Sequence, residues 1–207
     1  MYFQHDDIGD IVRAHRERRK NDKPTNGFRR FPEISLDDLT FKVRQHFEAV
    51  GLITEYKNEI ASLSANVIQS PIERAMISFL RFENYAEALM FEDIKIYLPG
   101  DDIRITEEKD VAIALLPQHN VRGYYLDIGM HIRCYDHLLR IDVECDGVEF
   151  HYATKDQFDH DRQRDIVLTA EGYVVWRSHG TNINRNPLHE AQMLTEAIGS
   201  WIKDVHP

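Results

Sequence analysis

Three carboxylates lie on two consecutive segments that have the composition of β-strands. Asp127 falls inside the first segment, and Glu144 and Asp146 stand at the end of the second. Because side chains alternate across a strand, Glu144 and Asp146 should point to one side and Cys145 to the other. Two carboxylates that point the same way repel each other, and a divalent cation between them removes that repulsion.

The three acids together would form a site of hard oxygen ligands. If Asp127 projects beside Glu144 and Asp146 from the neighbouring strand, the oxygens suit Mg²⁺ or Mn²⁺. Such an ion can activate water and offset charge on a phosphate. Gly147 would let the chain turn sharply after the acids. The residues alone leave alternatives open: a salt-bridged or surface role for Asp127, and a turn acid pair before a glycine for the other two.

The elements that must position these acids begin at Ser70. Serine is a favourable N-cap, Pro71 suits the first helical turn, and Glu73 sits at the capping-box position. Glu73 could therefore be only a capping acid. We predict that this helix continues to about residue 91. The later apolar segments at 94–98, 103–105, 111–116, 124–132, 138–144 and 173–177 indicate strands, and those at 154–171 and 187–203 indicate helices. This order is typical of an α/β domain.

The chain before this domain has a helical pattern. Helices are predicted over 6–22, from Ser35 to Gly51, and over 52–67, with a polar linker at 21–32. We therefore divide the chain into a helical N-terminal region, 1–66, and an α/β domain, 67–207. The first region would bind DNA or a protein partner, or mediate dimerisation. Its basic residues could equally form a solvated helix face; they are Arg13, Arg16, Arg18, Arg19, Lys20, Lys23, Arg29 and Arg30.

Composition restricts the class of protein. The 207 residues are 43% apolar and 29% charged, as in ordinary globular proteins. A net charge of −10 argues against a protein that coats nucleic acid generally, but it is compatible with acidic metal ligands beside a local basic patch. We find no membrane-length apolar run and no signal-peptide core, and we predict a cytoplasmic location. Cys134 and Cys145 are predicted to be free thiols, and the absence of a CxxC pair argues against structural zinc.

The chain resembles the core of the PD-(D/E)XK nuclease superfamily. The motifs that carry the resemblance are Glu144-Cys145-Asp146-Gly147, Phe150-His151, Thr154-Lys155, Asp161-Arg162, Arg164-Asp165, Gly172-Tyr173 and Arg177. The most similar branch is that of the endonucleases related to very-short-patch-repair enzymes, since Ser70-Pro71-Ile72-Glu73 resembles the opening of its first core helix and Gln118 resembles its first strand. The resemblance covers roughly residues 68–190, and its specificity lies in the order and spacing of the motifs.

The resemblance implies a fold, an activity and a set of metal ligands. The fold would be a restriction-endonuclease-like mixed sheet flanked by helices, and the activity would be hydrolysis of DNA phosphodiester bonds in repair, restriction or defence. Asp127 and Glu144 would be the principal ligands of Mg²⁺ or Mn²⁺, and Glu73 a further ligand or water-binding acid. Asp146 stands where the superfamily usually has lysine, although this branch often carries aspartate there.

Further side chains are candidates for contact with the substrate. His151, whose ordinary pKa lies near neutrality, could be a general base or a phosphate contact, or simply an exposed loop residue. Arg162 and Arg164 could instead belong to a solvated helix face. The residues expected to contact nucleic acid are Lys155, Arg162, Arg164 and Gln118.

Three other functions remain open on the sequence. The domain could be a nuclease-like fold that only binds nucleic acid or a partner protein. It could also serve an assembly in which the N-terminal helices do the main work. The substrate could be RNA instead of DNA.

A homodimer would supply two active sites for cleavage of both strands.

Overall fold

The computed structural model describes residues 36–61, 63, 67–68, 70–82, 94–105, 110–147 and 155–206. Three predicted segments lie outside these residues: the helix at 6–22, the linker at 21–32, and the final part of the helix predicted to reach residue 91.

A five-stranded mixed sheet forms the centre of the molecule. Its strands, in spatial as well as chain order, are β1 (Ile94–Ile96), β2 (Val111–Val121), β3 (Tyr124–Cys134), β4 (His137–Asp146) and β5 (Tyr173–His179). Strands β2, β3 and β4 are antiparallel neighbours, whereas β1 and β5 run parallel to β2 and β4, respectively. The predicted α/β class with a mixed sheet is confirmed, but the alternating segment at 103–105 is not a strand.

Helices cover both faces of this sheet. They are α1 (Leu36–Ala49), α2 (Ile53–Tyr56) with a following π-helical turn (Lys57–Ala61), α3 (Pro71–Phe82), α4 (Lys155–Ala170), α5 (Gly180–Arg185) and α6 (Pro187–Val205). The short helix α5 was not predicted. Among the described helices, none combines the length and apolarity that a membrane span needs.

Local signals in the sequence set several of these boundaries. The Ser70 hydroxyl accepts a hydrogen bond from the Glu73 backbone N–H at 3.3 Å, so the predicted N-cap of α3 is confirmed. Gly51 and Gly172 have positive φ angles of 78° and 82° and follow the ends of α1 and α4, as expected for C-terminal glycines. Residue 154, where the second of these helices is predicted to begin, lies outside the described residues.

The larger hydrophobic core lies on the α3 and α6 side of the sheet. It includes Met76 of α3, Leu115 of β2 and Ile128 of β3. Phe47 of α1 and Tyr56 of α2 are buried in the same core. The described part of the N-terminal region therefore packs onto the α/β domain, whereas a domain boundary at residue 66 stays a prediction.

A second, smaller core lies on the α4 side. It is formed by Val121, Leu126, Leu168 and Tyr173. Leu126 belongs to this core although Ile128, two residues later on the same strand, belongs to the larger one. Residues two apart normally share a face of a strand, so β3 changes its orientation between them, at Asp127.

Both cysteines are buried and free. Cys134 ends β3, and Cys145 lies near the end of β4. The predicted free thiols are thus confirmed for this structure.

Gly180 permits a close approach between two backbones near the end of β4. A Cβ atom on Gly180 would lie 2.8 Å from the carbonyl oxygen of Asp146, a distance that real contacts do not show. Gly147, by contrast, has open space around its Cβ position and a φ outside the left-handed region. The turn expected after Gly147 falls on residues outside the described part of the chain and stays a prediction, whereas Gly180 is constrained by the carbonyl of Asp146.

We expect Gly180→Ala to destabilise the fold, because the contact to Asp146 can be relieved only by moving backbone. The expected loss of unfolding free energy is about 1–3 kcal/mol, measured by chemical denaturation. Gly147→Ala is the matched control and should change the unfolding free energy by less than about 1 kcal/mol. Equal effects of the two substitutions would contradict this account of the close approach.

Candidate active site

Asp127 and Glu144 meet at the point where strands β3 and β4 separate. The last backbone-paired residues are Ile128 and Val143, and the same register places Asp127 opposite Glu144. There the Asp127 N–H donates to Glu144 Oε1 at 3.4 Å, and the Cys145 N–H donates to Asp127 Oδ2 at 2.8 Å. Each carboxylate thus accepts a backbone hydrogen bond from the opposite strand, and the structure brings these two predicted acids together.

Strand β2 is also interrupted beside Asp127. Pro117 pairs with Ile128 and His119 with Leu126, so Gln118 lies opposite Asp127 but forms no bridge with it. The φ angle of Gln118 is +54°, which is uncommon for a residue other than glycine and tends to occur at functional sites. The sheet is therefore distorted on both sides of Asp127.

The Glu73 side chain extends from the first turn of α3 towards Asp127 and Gln118. Its side chain is buried, and its Oε2 accepts a hydrogen bond from Gln118 Nε2 at 3.1 Å. The backbone N–H of Glu73 is meanwhile bonded to the Ser70 cap. Glu73 can therefore lie within the capped first turn and still present a carboxylate to the site. Gln118, expected to contact nucleic acid, is instead buried against Glu73.

Arg164 differs from its expected role as a phosphate contact. Its side chain is only 8% exposed, and one nitrogen, Nη2, lies 2.9 Å from Asp142 Oδ2 and in direct contact with Glu144 Oε1. The guanidinium therefore binds two carboxylates inside the protein. In this structure the guanidinium is not exposed to solvent, and a contact of Arg164 with the DNA backbone stays a prediction.

Asp142 is a site residue that the sequence reasoning missed. It lies two positions before Glu144 on β4, is fully buried, and belongs to the same face of the strand. Neither of its oxygens accepts a hydrogen bond within the described residues, although Arg164 is close. The available signal was an acid between Ile141 and Val143, since a buried acid requires a compensating partner.

Asp146 is held by an arginine of the neighbouring strand. Arg177 Nη1 lies 3.4 Å from Asp146 Oδ1, and Arg177 Nη2 lies 2.6 Å from Asp165 Oδ1. The β4–β5 register also places Arg177 directly beside Glu144. A positive charge therefore stands next to the position where the resembled superfamily usually has lysine.

The site holds more negative than positive charge in its interior. Burial, followed by the charge of Glu144, raises the pKa of Asp127 from 3.8 to about 8. The same two causes, in the same order, raise the pKa of Asp142 to about 9. Burial and the neighbouring acids thus favour protonation of both carboxyl groups when no cation is bound, and a divalent ion would oppose it.

The residues present fit a cation held by few protein ligands. Within the part of the chain that the structure describes, no three His, Cys, Asp or Glu side chains form a group that could hold a metal. Asp127 and Glu144 nevertheless offer two adjacent carboxylates. Mg²⁺ commonly takes one or two carboxylates and keeps several waters. The buried acids Asp127, Asp142 and Glu144 outnumber the single guanidinium of Arg164 that lies among them, which also favours a cation here.

The remaining predicted residues are not brought into this cluster. Arg162 is exposed on α4, as the alternative of a solvated helix face expects. Lys155 begins α4, and the structure describes its backbone position only. His151 lies outside the described residues. Their roles in substrate binding stay predictions.

Comparison with known proteins identifies one family over this region. Residues 106–198, somewhat less than half of the chain, match a family model described as REase_MTES_1575. The match indicates a restriction-endonuclease-like family, consistent with the PD-(D/E)XK superfamily broadly, and the mixed sheet flanked by helices agrees with that fold. The matched segment includes Asp127, Asp142, Glu144 and Arg164 but not Glu73. No curated protein and no solved structure matches the chain.

The raised pKa of Asp127 predicts a pH-dependent stability. A carboxyl group whose pKa is raised on folding binds a proton more tightly in the folded state. The stabilisation that this proton binding contributes is complete below the pKa of Asp127 in the unfolded state, near 4. It is lost as the pH rises towards about 8, the pKa in the folded state. In EDTA we therefore expect the unfolding free energy to fall between pH 5 and pH 8, and Asp127→Asn to make that fall smaller.

Asp127→Asn keeps a side-chain oxygen that can accept the hydrogen bond from the Cys145 N–H. Chemical denaturation at several pH values measures the slope, and we expect a gain of about 1–3 kcal/mol for Asp127→Asn at pH 8. Asp102→Asn is the control, because Asp102 is exposed and forms an ion pair with Arg104 at the surface. If the unfolding free energy of Asp127→Asn depends on pH as strongly as that of wild type, the raised pKa of Asp127 is wrong.

Proposed function

We propose that this protein is a metal-dependent endonuclease that hydrolyses phosphodiester bonds in DNA, with Mg²⁺ or Mn²⁺ as cofactor. One observation carries the proposal: Asp127 and Glu144 converge where two strands separate, inside the segment that matches a restriction-endonuclease-like family. That family match indicates a nuclease. The metal, the DNA substrate and the relation to very-short-patch-repair enzymes are the further steps of the proposal.

Asp127 and Glu144 would bind the ion. When bound, it would lower the pKa of a coordinated water and offset charge on the phosphate. Glu73, fixed by Gln118 and buried beside Asp127, would orient that water or accept its proton. His151 remains the alternative general base, with a pKa ordinarily near neutrality.

Arg177 is the chain's substitute for the lysine that the superfamily usually carries. Asp146 occupies that position and pairs with Arg177, whose backbone lies opposite Glu144. In this arrangement Asp146 and Asp165 orient the guanidinium, and the guanidinium offsets negative charge next to Glu144. Asp146 thus acts through Arg177 as a positioning residue.

Substrate contacts would extend beyond this cluster. Lys155 and Arg162, at the beginning and on the exposed face of α4, would contact backbone phosphates. The basic N-terminal patch would add contacts to DNA or to a partner protein. Cleavage of both strands would require two such sites, as in a homodimer.

Cleavage assays on supercoiled plasmid test the proposal. With Mg²⁺ or Mn²⁺ we expect nicking or linearisation, and Glu144→Gln and Asp127→Asn should each lower the rate by about 100-fold or more. Identically purified Glu144→Gln controls for contaminating nuclease, and Asp102→Asn controls for the loss of an exposed acid. If the purified wild type cleaves neither DNA nor RNA with either metal, the proposal fails; cleavage of RNA alone would establish a ribonuclease instead.

A matched pair of substitutions separates the two roles of the α3 start. Glu73→Gln keeps the Ser70 cap but removes a charge from the site, so cleavage should fall by about 10-fold or more while stability changes little. Ser70→Ala removes the cap and should reduce unfolding free energy by about 1 kcal/mol while cleavage persists. Full activity in Glu73→Gln would remove Glu73 from the mechanism.

A non-catalytic binding protein is the second candidate function. It is favoured by the pairing of Glu144 with Arg164 and of Asp146 with Arg177, which neutralises acids that a metal would otherwise use. Calorimetry that detects DNA binding but no Mn²⁺ binding would support this candidate. Deletion of residues 1–35 would then test the N-terminal contribution, because Leu39, Val43 and Phe47 belong to the main core and cannot be removed with it.

A further inference from the structure

A single guanidinium nitrogen is shared between two acids of strand β4. Arg164 Nη2 lies 2.9 Å from Asp142 Oδ2 and in direct contact with Glu144 Oε1. Relative exposure is 8% for the Arg164 side chain, 0% for Asp142 and 13% for Glu144. Because all three are shielded from solvent, the pairing of this one positive charge strongly affects the charge that Glu144 can offer to another ion.

Arg164 and a divalent cation would compete for Glu144. A guanidinium bound to Glu144 alone would neutralise that carboxylate and repel a second positive charge beside it. Asp142 offers Arg164 another carboxylate through the same nitrogen, so the guanidinium can transfer its pairing to Asp142 with little movement. Such a transfer leaves Glu144 with its negative charge.

Asp142 is also an unfavourable choice for stability alone. It places a carboxyl group in the interior near Glu144, and its oxygens accept no hydrogen bond from the described residues. A neutral residue at position 142 would leave Arg164 paired with Glu144, so no buried charge would lose its last partner. A residue that served the fold only would therefore gain nothing from an ionisable group at this position.

We propose that Asp142 is a positioning residue that sets the cation affinity of the candidate site by drawing the Arg164 guanidinium away from Glu144. The inference rests on the proposed metal-dependent function and deepens it. Neither Asp142 nor Arg164 contacts the cation or the substrate. Their role is to determine how much negative charge Glu144 presents.

A double-mutant cycle tests this competition. Wild type, Asp142→Asn, Arg164→Met and the double variant are compared by Mn²⁺ calorimetry and by thermal unfolding in EDTA. We expect Asp142→Asn to weaken Mn²⁺ binding by about fivefold or more, because Arg164 then pairs with Glu144 alone. Its unfolding temperature should be unchanged or higher. A purely structural residue would lose both stability and affinity together.

The double variant gives the sharper result. With the competing guanidinium removed as well, most of the lost Mn²⁺ affinity should return, whereas independent structural defects would add. Arg122→Met is the matched control, since Arg122 forms an exposed ion pair with Glu171. The control should bind Mn²⁺ as tightly as wild type.

The outcomes separate this inference from the proposed function. If wild type binds Mn²⁺ but Asp142→Asn binds it equally well, or if the double variant binds as weakly as Asp142→Asn, the inference is overturned alone. If wild type binds no Mn²⁺, the metal-dependent function is overturned and the inference with it. If Asp142→Asn does not fold, Arg164→Met decides: tighter Mn²⁺ binding supports the competition, and equal or weaker binding overturns it.

Discussion

The separation of β3 from β4 at Asp127 and Glu144 is the constraint on which the site depends. Backbone N–H groups that lose their strand partner need another acceptor, and here each carboxylate supplies it to the opposite strand. The hydrogen bonds that compensate for the end of strand pairing are therefore the same bonds that orient the acids. Gln118, with its left-handed backbone, extends the distortion to β2 and connects it to Glu73 on α3.

Two arginines determine how the acids on β4 can be used. Arg164 comes from α4 on one side of the strand's acids, and Arg177 comes from the adjacent strand β5. Both are compensated in turn by a second acid, Asp142 or Asp165. Each arginine thus offsets part of the negative charge of two acids in the metal-free protein. It also means that the two arginines cannot be understood as surface residues that await a phosphate.

The central acids and the class of the fold could be predicted from sequence because they depend on local patterns. Strand periodicity placed Asp127 and Glu144, and Ser70 followed by Pro71 marked the start of α3. Asp142 was missed because its importance comes from a contact with Arg164, which lies 22 residues later on helix α4. The roles of two other residues also depend on neighbours distant in sequence. Gln118 binds the carboxylate of Glu73, and Gly180 lies against the backbone carbonyl of Asp146.

The change of orientation of β3 at Asp127 places the site at the seam between two hydrophobic cores. The tip of the β2–β3 hairpin packs with α4 through the four-residue smaller core, while the rest of the strand belongs to the much larger one. A unit with so few buried contacts opens more readily than the remainder of the fold. The backbone amide of Cys145, which donates to Asp127, therefore reports on this seam: its hydrogen-exchange rate should follow local opening of the hairpin tip and not global unfolding.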